Sequence, residues 1–399
     1  MKRTTWRIPI AGALAGGLML LSILGSTASG SATAAASGPL KIGVLAPLTG
    51  AVAPEGAALT AGIKLAVAKI DAAGGVLGKP ITLYTLDTQA NPSLATQDAR
   101  KLIQQDQVNV LYGTILGNES APVEKLATAA KIPFMKQILD DYLHSNTCSA
   151  YYYKLGESDY QLLSSLIPFM IHKYGKNVAL VGDDYSFPHA YNQTAKTLIA
   201  RAGGKVVTEQ YSPLGTSEWS STIGKLSAAK PSWVLSSVVG GDAIAFLKQA
   251  HSLGFKPSIT GVSLNAEFYP ALGGITNGSY VTVRYTDQIN SPANKAFVKA
   301  YRAANAGNTA PIASVTANAY TGLLLLAKAI NAQGSLSSSA ILAGLKKVSL
   351  SNTIYGPGTI SFNPSNNILS ADIYLVKVEA GNVYKIVKNE GVTADPTKC

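Results

Sequence analysis

Cysteine, histidine and charged side chains are scarce in this 399-residue chain. It has two cysteines and four histidines, and only 14% of its residues are charged. These few residues show no metal-ligand spacing, so we expect no metal site and no cofactor. Motifs such as G-x-S-x-G and H-E-x-x-H, and paired cysteine–histidine arrangements, are also missing from the sequence. The absence of these motifs argues against an enzyme.

Acidic residues are fewer than basic ones, and the formal net charge is +11. Such a balance can favour anionic partners. The sequence has no dense run of lysine and arginine and no regular interleaving with aromatic residues. We therefore expect no nucleic-acid binding, and we interpret the charge as one that keeps the protein soluble.

Long apolar runs are missing after residue 36, so no later segment reaches the length of a membrane span. Residues 1–36 have a basic head (Met1–Arg7), an apolar body (Ile8–Gly25) and a small-residue tail (Ser26–Ala36). This pattern predicts a cleaved signal peptide, with an uncleaved anchor as the alternative. The tail has no cysteine to accept a lipid. We expect export to a periplasm or to the cell surface.

The two cysteines are Cys148 and Cys399. An even pair in an exported protein favours a disulfide, which would attach the last residue to the first half of the chain. The alternative is two unpaired thiols.

One stretch, Lys41–Pro80, has the pattern of a buried strand, a loop, an amphipathic helix and a glycine stop. The same pattern returns at Asn177–Pro213, where Gly203-Gly204 closes the helix. Strand and helix patterns alternate throughout 41–137, which indicates a doubly wound parallel sheet. We predict an α/β protein with two similar doubly wound parallel-sheet lobes joined by a multi-strand hinge. One long sheet is the alternative.

The C-terminal third has three helix patterns, which we expect to cover the first lobe: Pro292–Asn305, Ala313–Gln333 and Ser337–Lys347. A hairpin with its turn at Gly381-Asn382 is expected to extend the second sheet. The predicted division is a signal peptide (1–36), lobe 1 (37–155 plus 288–350), lobe 2 (156–287 plus 351–390) and a C-terminal tail (391–399).

Several segments carry a family resemblance. They are KIGVLAPLTG, IDAAGGVLGKPI, GDDYSFP at Gly182–Pro188, PLGTSEWSSTIGKLSAAKPSWV and GPGTISFNPSNN. In this order and spacing, across nearly all of the mature chain, they resemble the solute-binding proteins of branched-chain amino acid and amide ABC importers, which have the type I periplasmic binding fold. The resemblance implies a non-catalytic receptor, expected to be a monomer, that closes on a small polar ligand and delivers it to a membrane permease.

Within that family, Asp183–Pro188 looks most similar to the urea and short-chain amide branch. Amino acid binders of the family typically place Ser or Thr at two successive strand ends to hold a carboxylate. This chain has Thr114 at one end, but Gln137 and its successors have no hydroxyl at the other. This difference puts an α-amino acid in doubt without excluding it. The expected ligand is therefore a small amide, urea or a branched-chain-type amino acid.

Ligands of open parallel sheets bind at the carboxyl ends of the strands. In the first lobe, these ends and the first loop contribute Pro54, Glu55, Thr114, Asn118, Glu119 and Gln137. Thr114 and Gln137 can hydrogen-bond a ligand, and Glu119 can accept from an amide or ammonium group. Packing, or capping of the helix that we expect to begin at Ser120, explains these residues nearly as well.

In the second lobe the candidates are Tyr185, Phe187, Asp242 and Glu267. Tyr185 and Phe187 can stack over a ligand, although a core role also suits Phe187. Asp242 is first a helix cap and second a ligand contact, and Glu267 either contacts a cationic group or begins a helix. Two other functions stay open: a secreted hydrolase of small amides, and a ligand-sensing ectodomain without transport.

Overall fold

The computed structural model describes residues 38–50, 52–137, 149–307, 310–381, 383–393 and 395–396. The predicted signal peptide, Cys148 and Cys399 lie outside these residues, so the predicted disulfide stays a prediction. Within the described ranges, no helix is both long and apolar enough to cross a membrane.

The first parallel sheet has the strand order β2-β1-β3-β4-β5. Parallel neighbours need a crossover connection, and here helices supply the first three of these connections. They are Ala53–Ala72, Pro92–Gln104 and Gly117–Ala129. The strands are β1 (Lys41–Ala46), β2 (Thr82–Asp87), β3 (Val110–Gly113), β4 (Phe134–Lys136) and β5 (Tyr152–Lys154).

Helix Ala53–Ala72 shows how the sequence sets its own boundaries. Pro54 lies in the first turn, where its missing N–H costs nothing, and Leu59 and Ile63 are buried on one face. Gly74 and Gly75, with φ of 101° and 78°, end it in backbone conformations that suit glycine. The sequence analysis places Pro54 and Glu55 in the loop before this helix. The helix begins at Ala53, so both residues belong to its first turn instead.

The second parallel sheet has the order β7-β6-β8-β9. In both sheets the second strand of the lobe flanks the first on one side, and the third and fourth lie on the other. This shared order confirms two similar lobes. The strands are β6 (Asn177–Asp183), β7 (Lys205–Ser212), β8 (Trp233–Ser237) and β9 (Ser258–Thr260); the helices are Asp159–Tyr174, Ser186–Arg201, Ser220–Ala228, Gly240–Ser252 and the short Tyr269–Leu272.

The C-terminal third of the chain supplies a helix that packs on the first lobe. Helix Ser314–Gln333 packs against helix Ala53–Ala72, and the Thr316 hydroxyl donates to the carbonyl of Ala58 at 3.0 Å. The two backbones come so close at Gly62 that any Cβ there would overlap the Thr316 carbonyl oxygen. The other two helices are Pro292–Ala304 and Ser338–Leu345.

The predicted C-terminal hairpin exists, but its expected place in the second parallel sheet is wrong. Its strands β14 (Asp372–Glu379) and β15 (Val383–Val392) join β10 (Tyr280–Val283) in a separate antiparallel sheet, because β10 supplies the antiparallel partner for β14. A second small antiparallel sheet comprises β11 (Ser349–Thr353), β12 (Gly356–Phe362) and β13 (Leu369–Ser370). The sequence reading missed β11, which is polar and only partly buried.

Candidate ligand-binding site

The carboxyl ends of the strands in both parallel sheets border one cleft. The cleft contains about 860 Å³ of space not filled by protein atoms, including its open mouth. Residues that follow β3 and β4 line it from the first lobe, and residues that follow β6, β8 and β9 line it from the second.

Much of the cleft wall is apolar. Phe187 and Tyr191 lie on the first two turns of helix Ser186–Arg201 with their ring centroids 5.5 Å apart, and Tyr185 lies 6.2 Å from Phe187. Aliphatic side chains complete this wall: Leu162, Leu166, Val262, Val281 and Val283. Such a wall can bury the apolar body of a ligand, which gains roughly 25 cal/mol for each Å² removed from water.

The polar part of the wall includes hydrogen-bond acceptors that have no donor. Glu55 Oε2, Gln137 Oε1, Glu157 Oε1 and Glu267 Oε1 are buried without a hydrogen-bond partner. Among the described residues, no lysine, arginine or histidine lines the cleft. Buried acceptors without donors cost free energy, so this site is complementary to a molecule that supplies N–H groups.

Glu55 connects the two lobes. It lies in the first turn of helix Ala53–Ala72, and its Oε1 accepts the backbone N–H of Gly240 at 3.1 Å. Gly240 begins helix Gly240–Ser252 of the second lobe, and the start of a helix favours a negative charge. Burial, and to a smaller extent the negative charge of Glu267, raise the pKa of Glu55 to about 8.

Glu267 faces the same space from the second lobe. It belongs to a single 3₁₀ turn, Ala266–Phe268, that follows β9. Burial of the carboxyl group, with a smaller contribution from the negative charge of Glu157, raises the pKa of Glu267 to about 7. A ligand cation near these carboxylates would lower their pKa values and release protons.

The structure places five of the predicted site residues on the cleft wall. They are Glu55, Gln137, Tyr185, Phe187 and Glu267. Gln137 and Phe187 are almost fully buried, whereas Tyr185 is partly exposed. The structure therefore brings together residues from three separate strand ends and one helix start. Their roles in ligand binding stay predictions.

The other five predicted residues do not line the cleft, namely Pro54, Thr114, Asn118, Glu119 and Asp242. Thr114 is fully buried, and the three residues after it form the wall instead. Asp242 serves the second lobe: its Oδ2 accepts the backbone N–H groups of Gly215 and Thr216 at 2.6 and 2.9 Å.

The helix expected to begin at Ser120 begins one turn earlier, at Gly117, so the prediction that Ser120 caps it is wrong. The reason is Glu119, whose Oε2 accepts the backbone N–H of Leu116 at 3.3 Å and closes the first turn. Burial raises the pKa of Glu119. Ser120 lies inside the helix and donates to Glu124 at 3.2 Å.

Sequence reasoning missed Glu157, Asn265 and Ser314, which also line the cleft. Glu157 follows β5, a strand that the sequence analysis does not predict. The aromatic run Tyr151–Tyr153 was the available signal, because aromatic residues favour strands. With that strand assigned, its carboxyl end would have drawn attention to Glu157.

Comparison with known proteins shows the family to which the chain belongs. The family model described as periplasmic binding protein matches residues 39–382. The chain belongs to this periplasmic binding protein family. Its relatives include the Leu/Ile/Val-binding protein homolog 7 of Brucella suis biovar 1, which is 27% identical over 334 residues, 79% of this chain and 83% of that protein.

Solved structures of periplasmic binding proteins share the fold. The solute-binding protein of an ABC transporter from R. palustris, in complex with benzoate, is 22% identical with a TM-score of 0.83, covering 90% of this chain and 99% of its own. A leucine-binding protein from Thermotoga maritima MSB8 is 21% identical with a TM-score of 0.77, covering 88% and 98%. This is the type I periplasmic binding fold. The family consists of substrate-binding proteins of ABC transporters, which are not enzymes. Membership of the family implies export.

Proposed function

We propose that this periplasmic binding protein captures a small molecule with an apolar body and a head that carries N–H groups, and delivers it to an ABC permease. The expected ligands are a short-chain amide or a branched-chain-type amino acid. The observation that supports this proposal is the set of unpartnered buried acceptors on Glu55, Gln137, Glu157 and Glu267, with no basic side chain among the described lining residues.

The alternatives fit this cleft less well. An aromatic acid such as the benzoate bound by the R. palustris protein has no N–H donor, so it would leave the buried acceptors of the cleft without one. Urea supplies donors but leaves the apolar wall uncovered. The names of the Brucella relatives, Leu/Ile/Val-binding protein homologues, agree with a nitrogen-bearing ligand that has an aliphatic body.

The other end of such a ligand also has a place to bind. Gly117, the first residue of helix Gly117–Ala129, lines the cleft. The first backbone N–H groups of a helix lack partners within the helix and favour oxygen with negative charge. We propose that they hold the carbonyl or carboxylate oxygen of the ligand, while Glu267 holds its nitrogen.

Titration calorimetry of the mature protein against a small panel tests the function. We expect one molecule of L-leucine, L-valine or 4-methylpentanamide to bind per chain, and benzoate and 4-methylpentanoate to bind much more weakly. Glu267→Gln should weaken the binding of the nitrogen compounds, whereas Glu218→Gln, at an exposed position, should not. If no nitrogen compound binds at millimolar concentration, or if the two acids bind best, the proposal fails.

A further inference from the structure

Glu157 lies where the chain leaves the first sheet for the second lobe, two residues before helix Asp159–Tyr174. Its side chain is only 3% exposed, yet it lines the cleft. Oε2 accepts a hydrogen bond from Asn318 Nδ2 at 3.0 Å, and Oε1 has no partner. One oxygen is therefore fixed by the protein, and the other is available to a ligand.

Asn318, which donates to Glu157, is itself held by hydrogen bonds. Asn318 is fully buried in helix Ser314–Gln333, and its Oδ1 accepts from the Tyr355 hydroxyl at 2.6 Å and from Arg284 Nη1 at 3.4 Å. Because both donors occupy the amide oxygen, the amide nitrogen must point toward Glu157. The orientation of the Asn318 side chain is set by this network.

Arg284 ties this network to the hinge. It is fully buried, follows strand β10, and donates to the carbonyls of Leu155 at 2.6 Å and Leu369 at 3.1 Å. It also donates to Gln161 Oε1 at 2.9 Å. Its partners come from three separate segments of the chain at the hinge: residues 155–161, Asn318 and Leu369. Leu155 lies two residues before Glu157. A planar guanidinium with several donors suits such a junction better than lysine would.

Two carboxylates thus face the ligand space from different directions, Glu267 from the second lobe and Glu157 from the hinge. Both residues line the same cleft, and the negative charge of Glu157 contributes to the raised pKa of Glu267. A ligand whose single nitrogen group lies at Glu267 leaves Glu157 Oε1 buried without a donor.

We propose that Glu157 is a second nitrogen-recognition point of the cleft, held in place by Asn318 and Arg284 as positioning residues, and that the protein therefore selects ligands with two N–H-bearing groups, such as an α-amino amide. This inference rests on the proposed function and narrows its ligand class. An α-amino amide offers an ammonium group to Glu267 and an amide NH₂ to Glu157, and its carbonyl oxygen can reach the helix start at Gly117.

The test compares L-leucinamide with L-leucine, which differ only at the second group. Calorimetry should show L-leucinamide binding the wild-type protein at least about tenfold more tightly, the value of one hydrogen bond to a charged group. Glu157→Gln should abolish this preference, because the Gln oxygen must accept from Asn318 and its NH₂ then faces the cleft. A purely structural role would instead weaken both ligands equally.

Asn318→Asp tests the positioning role. It removes the donor to Glu157 and should also reduce the preference for L-leucinamide, whereas Asn331→Asp, the same change at an exposed position of the same helix, should not. The double variant Asn318→Asp/Glu157→Gln restores a donor–acceptor pair and again directs an oxygen into the cleft. It should recover part of the preference, which shows that Asn318→Asp acts through position and not through misfolding.

The outcomes separate the two proposals. Equal affinities of wild type for both compounds, or an unchanged preference in Glu157→Gln, would overturn this inference while the proposed function stands. Failure of wild type to bind either compound would overturn both.

Discussion

The contact between Glu55 and Gly240 should govern how readily the two lobes close. It is the hydrogen bond that joins the side chain of one lobe to the helix start of the other across the cleft, at 3.1 Å. Glu55→Ala removes the acceptor and leaves the first N–H of helix Gly240–Ser252 without it. We expect this variant to populate an open form that the wild-type protein does not.

The size of the effect follows from the type of bond. Removing the acceptor leaves a buried N–H without a partner, which costs about 1–3 kcal/mol, so its loss should shift the equilibrium between closed and open lobes by about 5- to 150-fold. Because a ligand held by both lobes binds the closed form, its affinity should fall by a comparable factor. Glu55→Gln keeps an oxygen acceptor and should lose less.

Small-angle X-ray scattering of the ligand-free variants measures the opening of the lobes. Calorimetry measures the affinity, with the ligand that the panel of amides and amino acids identifies. Glu55→Ala should increase the radius of gyration, and Glu218→Ala, an exposed carboxylate of the second lobe, should not. If Glu55→Ala gives the scattering profile and affinity of the wild type, the contact does not hold the lobes together.

Three other predictions follow from the structure. Gly62→Ala should destabilise the fold by about 1–3 kcal/mol in urea unfolding, because its methyl group would overlap a carbonyl of the facing helix. The control Gly224→Ala, at a helical position with open space around it, should be neutral or stabilise the fold by about 0.5–1 kcal/mol. Equal effects of the two substitutions would contradict the tight helix packing. Since the pKa of Glu55 is raised to about 8, the native state binds more protons than the unfolded state above pH ~4.3, so this contribution to stability is full at lower pH and is lost as pH rises through 8. Between pH 5 and pH 8.5, urea unfolding should show a smaller loss of unfolding free energy for Glu55→Gln than for wild type. Identical losses in the two proteins would refute the raised pKa. Calorimetry should show that Gln137→Leu weakens ligand binding about 5- to 10-fold while Thr114→Val leaves it unchanged, because of these two residues only Gln137 lines the cleft. The reverse result would mean that the ligand binds at Thr114 and not at Gln137.

The alternating strand and helix patterns predicted the two parallel sheets because each βαβ unit is encoded locally. The buried strand Lys41–Ala46, the helix face at Leu59 and Ile63 and the glycine stop at Gly74 all lie within about thirty residues. The place of the hairpin Asp372–Val392 could not be read in this way. Its partner β10 lies about ninety residues earlier in the chain, and the choice between two sheets depends on tertiary packing.

Part of the cleft wall was predicted for a related reason. Residues such as Gln137 and Tyr185 directly follow strands, so the strand-end rule finds them. The same rule also selected Thr114 and Asp242, because the sequence does not show which side chains near a strand end turn toward the cleft. Glu157 depends on contacts with Asn318, 161 residues away, and such a contact has no local signal.

The central claim is that the cleft recognises nitrogen donors, and the most direct measurement compares the affinities of L-leucine and 4-methylpentanoate for the mature protein by calorimetry at pH 7. The two molecules share the aliphatic body and the carboxylate and differ only in the ammonium group. The unpartnered oxygens of Glu55, Glu157 and Glu267 predict that L-leucine binds at least about tenfold more tightly, with release of protons from the cleft carboxylates. Equal or tighter binding of 4-methylpentanoate would contradict the account.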